Sequence, residues 1–294
     1  MAPPSDACAR VLVTGAAGFT GRYVCAELER RGMAPVRWGA GFRLVDLADR
    51  HEVHAAIDEA KPDYVIHLAA VSFVAHEDVE AIYRTNVVGT RHLLEGLSRL
   101  PEPPRRVILA SSANVYGNVE GRVSESAVPA PANDYAVSKL AMEYVASLWP
   151  QLPITITRPF NYTGVGQDER FLIPKIVAHF RRRERVIELG NIDVVRDFND
   201  VRNVSEIYAD LLLNGHDGAV VNICSGTGNS LSGVIETLTG ISGHQLTVEV
   251  NPKFVRANDV RRLVGDPSRM QSLTGKHSFR PFAETLRWMY QADG

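Results

Sequence analysis

A β-branched run, Val11-Leu-Val13, stops at Thr14-Gly15, and a helical pattern with Phe19, Val24 and Leu28 on compatible positions runs from Gly18 to Arg31. Three glycines, Gly15, Gly18 and Gly21, occupy the junction. Gly15 permits a tight turn, Gly18 lets the backbone come close to a bound group, and Gly21 lets helix and strand pack together. A helix beginning there directs unpaired N–H groups outward, which suits a phosphate. A chain that opens this way is constrained to start as the strand–turn–helix of an α/β fold.

The pattern continues. Strands are predicted at Val36–Trp38, Phe42–Val45, Tyr64–Leu68, Val107–Ala110 and Ile154–Thr157. Helices are predicted at Ala48–Ala60, Val79–Leu100 and Asp134–Trp149, the last two stopped by Pro101 and Pro150. Wholly apolar strands separated by helices imply a parallel sheet covered on both faces. The second half is less regular, with helical patterns near 171–183, 204–214, 231–239 and 281–290 and a strand near 220–223. The 294 residues fit one large domain or two joined ones. The expectation is a dinucleotide-binding part over 1–160 and a second part over 161–294, packed as one unit around a cleft, with later segments crossing back to the sheet.

Composition excludes several classes. A net charge of −2 gives no electrostatic reason to expect nucleic acid or a membrane surface. Cys8, Cys25 and Cys224 lie far apart, without a metal-ligand spacing, and read as reduced thiols. No apolar run reaches 18 residues, and the opening Met1-Ala-Pro-Pro-Ser-Asp6 lacks the regions of a signal peptide, so a cytoplasmic protein is expected. His51, His54 and His76 have no partner set that suggests a metal, and His67 reads as a satisfied core histidine. The run Arg181-Arg-Arg-Glu-Arg185 reads as a solvated helix end.

Tyr135 and Lys139 are four apart on a predicted helix and share a face. An ammonium beside a phenol favours the phenolate, which tunes the tyrosine into an acid/base near neutral pH. Ser111-Ser112, at the end of a strand, offers a hydroxyl to orient the same oxygen. Sites that prefer NAD place an acid about twenty positions after the glycine turn. Residues 30–45 hold no acid but do hold Arg30, Arg31, Arg37 and Arg43. Arg37, expected at a strand end, is positioned to pair with a 2′-phosphate, which points to NADPH, with NADH as the alternative; Arg30 and Arg31 read as a helix end. Asp46, beside Leu47, either accepts from the adenine amino group or caps the next helix, and both can hold.

With these pieces in place the chain resembles an extended short-chain dehydrogenase/reductase. The likeness rests on Thr14-Gly-Ala-Ala-Gly-Phe-Thr-Gly21, Asp46-Leu47, His67-Leu-Ala-Ala70, Asn86, Ser112-Ala-Asn-Val-Tyr-Gly117, Tyr135-Ala-Val-Ser-Lys139 and Arg158-Pro-Phe-Asn161. Further on, Arg158 to Gln167, Phe171 to Lys175, Gly190 to Val201 and Asn222 to Gly226 are similar to reductases of GDP-4-keto-6-deoxy-D-mannose. The resemblance implies a Rossmann-type doubly wound parallel sheet with a smaller C-terminal α/β substrate-binding part. It implies Ser112, Tyr135 and Lys139 as the catalytic set, with Lys139 lowering the tyrosine pKa and binding the nicotinamide ribose. For the cofactor it implies Gly15, Ala17, Gly18, Phe19, Thr20, Asp46, Leu47, Leu68, Ala69, Ala70, Asn86 and Arg158 besides Arg37, Tyr135 and Lys139. For a GDP-sugar substrate it implies Ser72, Ser112, Asn114, Asn161 and Arg196. Lys175, Arg256 and Asp259 are either nucleotide contacts or surface charges. A homodimer through the two long helices is implied as well.

Related 4,6-dehydratases carry an Asp-Glu pair after the catalytic hydroxyl; here those positions are Ala113 and Asn114, neither of which works as an acid or base. The reading favoured is reduction of the 4-keto group of a nucleotide-linked 4-keto-6-deoxyhexose, giving GDP-D-rhamnose or GDP-6-deoxy-D-talose. The alternatives are an NAD-dependent nucleotide-sugar 4-epimerase and a non-catalytic dinucleotide-binding regulator.

Overall fold

The structure, a computed structural model, describes residues 8–71, 78–215, 217–252 and 260–292. The chain opens with β1 (Arg10–Thr14), α1 (Phe19–Arg30), β2 (Ala34–Trp38), α2 (Arg50–Ala60) and β3 (Tyr64–His67). Next come α3 (Val79–Tyr83), a π-helical turn (Arg84–Gly89), α4 (Thr90–Ser98) and β4 (Arg106–Ala110). A 3₁₀ turn (Ala113–Tyr116), β5 (Gly121–Val123), α5 (Asp134–Ala146), β6 (Ile154–Pro159) and β7 (Asn161–Thr163) follow. The later elements are α6 (Leu172–Arg181), β8 (Val186–Leu189), β9 (Val195–Asp200), α7 (Val201–Asn214), β10 (Val220–Ile223) and β11 (Gly228–Ser230). The last are α8 (Leu231–Ser242), β12 (Thr247–Val250), β13 (Arg262–Gly265), α9 (Ser268–Thr274) and α10 (Phe282–Gln291).

Six strands form one parallel sheet in the order β10-β6-β4-β3-β1-β2. Successive residues of each strand face opposite sides, so the apolar runs feed two cores. Val11, Val13, Ile66 and Ile108 pack with Val24 and Leu28 of α1 and Val204, Ile207 and Leu211 of α7. Leu12, Val65, Val107 and Leu109 pack with α2, α4 and α5 through Val53, Ile57, Leu93, Leu97 and Met142. The sheet is therefore Rossmann-type, with helices on both faces. Its winding reverses between β1 and β3, the point at which open α/β sheets form a crevice outside the carboxyl ends of their strands.

A second sheet, β11-β9-β13-β5, is shared between the two halves of the chain, because β5 pairs with β13. Conversely β10, from the second half, completes the main sheet beside β6. A third core, built on Ile176, Phe180, Phe198, Leu238 and Leu286, holds α6, α8 and α10 together. Among the described residues no helix is long and apolar enough to cross a membrane, and no group of His, Cys, Asp or Glu is arranged to hold a metal ion.

Three expectations change. The strand predicted at 42–45 does not form: one bridge joins Trp38 and Arg43, while Gly39 and Gly41 at φ +147° and +79° turn the chain. Phe42 and Leu44 are left exposed. The helix predicted over 79–100 widens into a π turn at its centre. There Gly89 lies so near Leu47 that an added Cβ would meet Leu47 Cβ at 2.7 Å, and Thr90 Oγ1 donates to Asn86 O at 2.8 Å. Finally, α2 starts at Arg50, capped by Asp49, whose carboxylate accepts from the His51 and Glu52 N–H groups.

Candidate active site

The glycine turn lies at the mouth of the crevice. Gly15 has φ +70°, and a Cβ there would stand 2.9 Å from Ala69 N. A Cβ on Gly21 would fall well inside contact with Gly15 O and Ala16. Strand ends β1 and β3 are locked by Leu68 N donating to Thr14 O (3.2 Å) and Ala69 N to Thr14 Oγ1 (3.2 Å). His67 is fully buried between Thr14 Oγ1 (2.7 Å) and Thr90 Oγ1 (2.9 Å); burial first, and the Lys139 charge second, push its pKa down to about 3, so it is a neutral core group. Gly18 caps α1 without a side-chain hydrogen bond, which leaves the first-turn N–H groups available. Glycines that exclude side chains and an uncapped helix end fit a pyrophosphate, so this chain's residues suit a dinucleotide. Thr20 Oγ1 meets the Tyr162 hydroxyl at 2.7 Å, and Phe19 stacks on Tyr162 with centroids 6.2 Å apart, tying the turn to β7.

The second corner is built at the ends of β4 and β6 and on α5. Asn133 caps α5 through Ala136 N at 2.9 Å, which starts the helix at Asp134, one residue before Tyr135. Tyr135 and Lys139 are both buried on one face of that helix. Ser112 follows β4 in extended backbone, and its Oγ accepts from Asn114 N at 3.1 Å. Burial pushes the Tyr135 phenol up to about 12, while a hydrogen bond with Ser112 pulls the other way. Burial pushes Lys139 down to about 8, opposed by the Glu143 carboxylate. The Lys139 ammonium donates to Ala110 O at 2.7 Å. Desolvation dominates at the tyrosine, and the ammonium is turned to the β4 carbonyl.

Below them lies a buried ion pair that sequence reasoning did not single out. Glu143 accepts from Arg158 Nε (2.9 Å) and NH2 (2.6 Å) and from Ser111 Oγ (2.5 Å). The signal was present, since Glu143 lies four residues beyond Lys139 on the same face. Arg158 also covers the Tyr116 ring, 4.9 Å from its centroid. Arg158, expected at the cofactor, directs Nε and NH2 to Glu143 beneath the site, while its buried NH1 has no hydrogen-bond partner among the described residues. Burial opposes its charge, but the bonds and charge of Glu143 outweigh that and raise its pKa.

Two other residues expected at the cofactor have partners within the protein. Arg37 pairs with Val13 one residue before the end of β2, so its side chain points along α1 and donates to Glu29 at 2.6 Å. The residue that follows the strand, beside the glycine turn, is Gly39, whose added Cβ would stand 3.3 Å from Ala17 N. Asn86 is buried, accepts from Val71 N (2.9 Å) and donates to Val71 O (3.2 Å) and Ser138 Oγ (3.0 Å). Its amide clamps the segment after β3 onto α5. Asp46 is exposed, with Oδ1 accepting from Ala48 N at 2.8 Å, and Leu47 O meets His92 Nδ1 at 3.0 Å.

Asn114 and Asn161 are exposed, beside the 3₁₀ turn's start and on β7. Lys175 Nζ donates to Glu188 O at 2.8 Å, and Arg196 NH1 donates to Val195 O (3.0 Å) and Val260 O (2.8 Å). Ser72, Arg256 and Asp259 lie outside the described residues.

Comparison with known proteins follows this geometry. The NAD dependent epimerase/dehydratase family matches residues 11–224. The chain is 34% identical to GDP-6-deoxy-D-talose 4-dehydrogenase of Aggregatibacter actinomycetemcomitans over 285 residues, covering 96% of this chain and 97% of that one. It is 33% identical to GDP-6-deoxy-D-mannose reductase of Pseudomonas aeruginosa, over 90% and 91% of the two chains. The solved structure of RMD from Pseudomonas aeruginosa complexed with NADPH superposes with a TM-score of 0.87 at 31% identity, covering 96% of each chain. The chain belongs to the NAD dependent epimerase/dehydratase family, within the extended short-chain dehydrogenases/reductases, and is an NAD(P)-dependent oxidoreductase.

Proposed function

We propose that this protein reduces the 4-keto group of a GDP-linked 4-keto-6-deoxyhexose with NADPH. The observation that carries the reading is a buried tyrosine beside Ser112, followed by Ala113 and Asn114 where a dehydratase needs two carboxylates. A phenol pushed up to about 12 holds its proton at neutral pH, as a general acid must. Tyr135 gives that proton to the carbonyl oxygen as negative charge develops there. Ser112 donates a hydrogen bond to the same oxygen, and the dry setting strengthens it. Lys139 places its positive charge against the pair. The nicotinamide, when bound, supplies the hydride.

The relatives named above act on GDP-6-deoxy-D-talose and GDP-6-deoxy-D-mannose, sugars that differ only in configuration at carbon 4. That supports a GDP sugar and leaves product configuration to the way the hexose rests in the pocket. Gly15, Ala17, Gly18, Phe19 and Thr20 are assigned to the pyrophosphate, Asp46 and Leu47 to the adenine side, and Leu68, Ala69 and Ala70 to the segment alongside. Asn114, Asn161, Lys175 and Arg196 are assigned to the nucleotide sugar. A glycine at position 39, with no carboxylate to repel a 2′-phosphate, supports NADPH. Residues 1–160 are assigned to the dinucleotide and the remainder mainly to the sugar.

Val137, Tyr144 and Leu148 expose apolar surface along and just beyond α5, and Val88 does so on the π turn. A homodimer through these helices is part of the reading, and light scattering would test it. For the reaction, loss of absorbance at 340 nm is expected when NADPH meets freshly made GDP-4-keto-6-deoxy-D-mannose, and proton couplings of the product would give its configuration. No consumption with NADPH or NADH would overturn the substrate assignment and favour the 4-epimerase.

A further inference from the structure

Tyr135, Lys139 and Glu143 are spaced by four on α5, so they form one row along a single helix face. All three are buried, with relative exposures of 8%, 3% and 8%. A glutamate C-terminal to a lysine is the weaker order for helix stability, and a buried one does little for the helix itself. The carboxylate is fixed by three donors: Ser111 Oγ and Arg158 Nε on Oε1, and Arg158 NH2 on Oε2. Ser111 joins Ala110, whose carbonyl receives the Lys139 ammonium, to Ser112. One cluster therefore fixes the lysine, the serine loop and the carboxylate together.

The groups facing Lys139 come from four elements. Tyr135 and Glu143 come from its own helix, His67 from β3, the Ala110 carbonyl from β4 with Ser111 just after it, and Arg158 from β6 beyond Glu143. His67 is neutral, so the charge acting on the ammonium is that of the Glu143 carboxylate, which is itself paired with Arg158. In a dry site such charges act strongly on one another.

We propose that Glu143 is a positioning residue acting through Lys139: the carboxylate, locked by Arg158 and Ser111, is the fixed counter-charge that keeps the lysine charged and in place behind Tyr135. Arg158 acts in the opposite sense, as a like charge that also holds the carboxylate still. This deepens the reductase reading above and rests on Tyr135 and Lys139 serving as that reading assigns.

The test needs no substrate. The chain has five lysines, so NMR of lysine labelled at the ε-carbon, with Lys139→Arg for assignment, follows the ammonium of Lys139 directly in the full-length protein. Its value near 8 lies in an accessible range. Glu143→Gln should move the Lys139 midpoint down by at least one pH unit, Arg158→Gln should move it up, and Glu143→Asp should return it partway. The alkaline limb of kcat/KM for keto-sugar reduction should follow each shift. If Glu143→Gln does not fold, Arg158→Gln and the Glu143→Gln/Arg158→Gln double variant carry the test, the double variant returning towards the parent midpoint. An unmoved midpoint, or shifts of one sign in both single variants with only a loss of Tm, would overturn the proposal. Midpoints that shift as stated in a protein that oxidises no NADPH would uphold it while sinking the substrate assignment.

Discussion

The two corners of the crevice are built by opposite means. The glycine corner works by exclusion: missing Cβ atoms at Gly15 and Gly21 let β1, β3 and α1 close on one another, and backbone groups do most of the joining. The other corner is packed with charge, since Lys139, Glu143 and Arg158 are each less than a tenth exposed. A corner made of backbone tolerates no added atoms but carries little electrostatic cost. A corner made of buried ions costs stability and returns reactivity.

That contrast is open to direct attack. Tyr135→Phe should lower turnover by about 10²–10⁴-fold with NADPH affinity nearly intact, as expected for a lost proton donor. Retained turnover would show that the charged corner is not where the proton moves.

Gly21→Ala should cost about 1–3 kcal/mol, because the new Cβ has only backbone to meet. Lys139→Met, by contrast, should abolish activity and raise the midpoint of thermal unfolding at pH 7 by about 2–4 °C. A lysine whose folded pKa is depressed destabilises the fold below that pKa, and the penalty fades as pH rises from about 8 towards its unfolded value. Parallel melts of the two variants would break the comparison if both lost stability.

His67 sharpens the link between the corners. Its folded pKa, pushed down to about 3 mainly by burial, means stability is complete above its ordinary value and falls as pH drops through about 6.5 towards 3. His67→Asn should flatten the pH dependence of urea midpoints across that window, whatever its effect on stability itself. The smallest effect belongs to Arg37→Met, which should change NADPH affinity by less than about fivefold, since the loss of one surface ion pair is worth at most about 1 kcal/mol. A tenfold loss in a binding titration would restore the 2′-phosphate contact expected from sequence.

The same contrast explains what was legible in the sequence. Strand, turn and helix around Gly15, Gly18 and Gly21 are encoded within a dozen residues, as is the Tyr135–Lys139 spacing. Glu143 was equally local, but its meaning depends on Arg158 and Ser111, which arrive from β6 and the end of β4. The Glu29 partner of Arg37 and the Glu143 partner of Arg158 were not legible, because a strand residue's facing follows from register and from neighbours distant in sequence. Asn86 was found by motif, yet its role as a clamp needed the π turn to be seen. The strands β5, β7, β11 and β13 hold three or four residues each, and neither alternation nor an apolar run announces them or the six-residue β9.

The place of β10 has a consequence for how the protein is made. Strand β6 is complete at Pro159, but the neighbour that covers its outer edge ends at Ile223, 64 residues later. At about 5–20 residues per second, a nascent chain carries that bare edge for about 3–13 s. The helix that seals the α1 side of the sheet, α7, emerges within the same interval. An unpaired parallel edge next to an open apolar face is a template for the wrong partner, whether a neighbouring nascent chain or the chain's own later strands. Translation pauses after β6 has emerged and before β10 has done so would lengthen that exposure, whereas pauses after β10 has emerged would find the edge already covered.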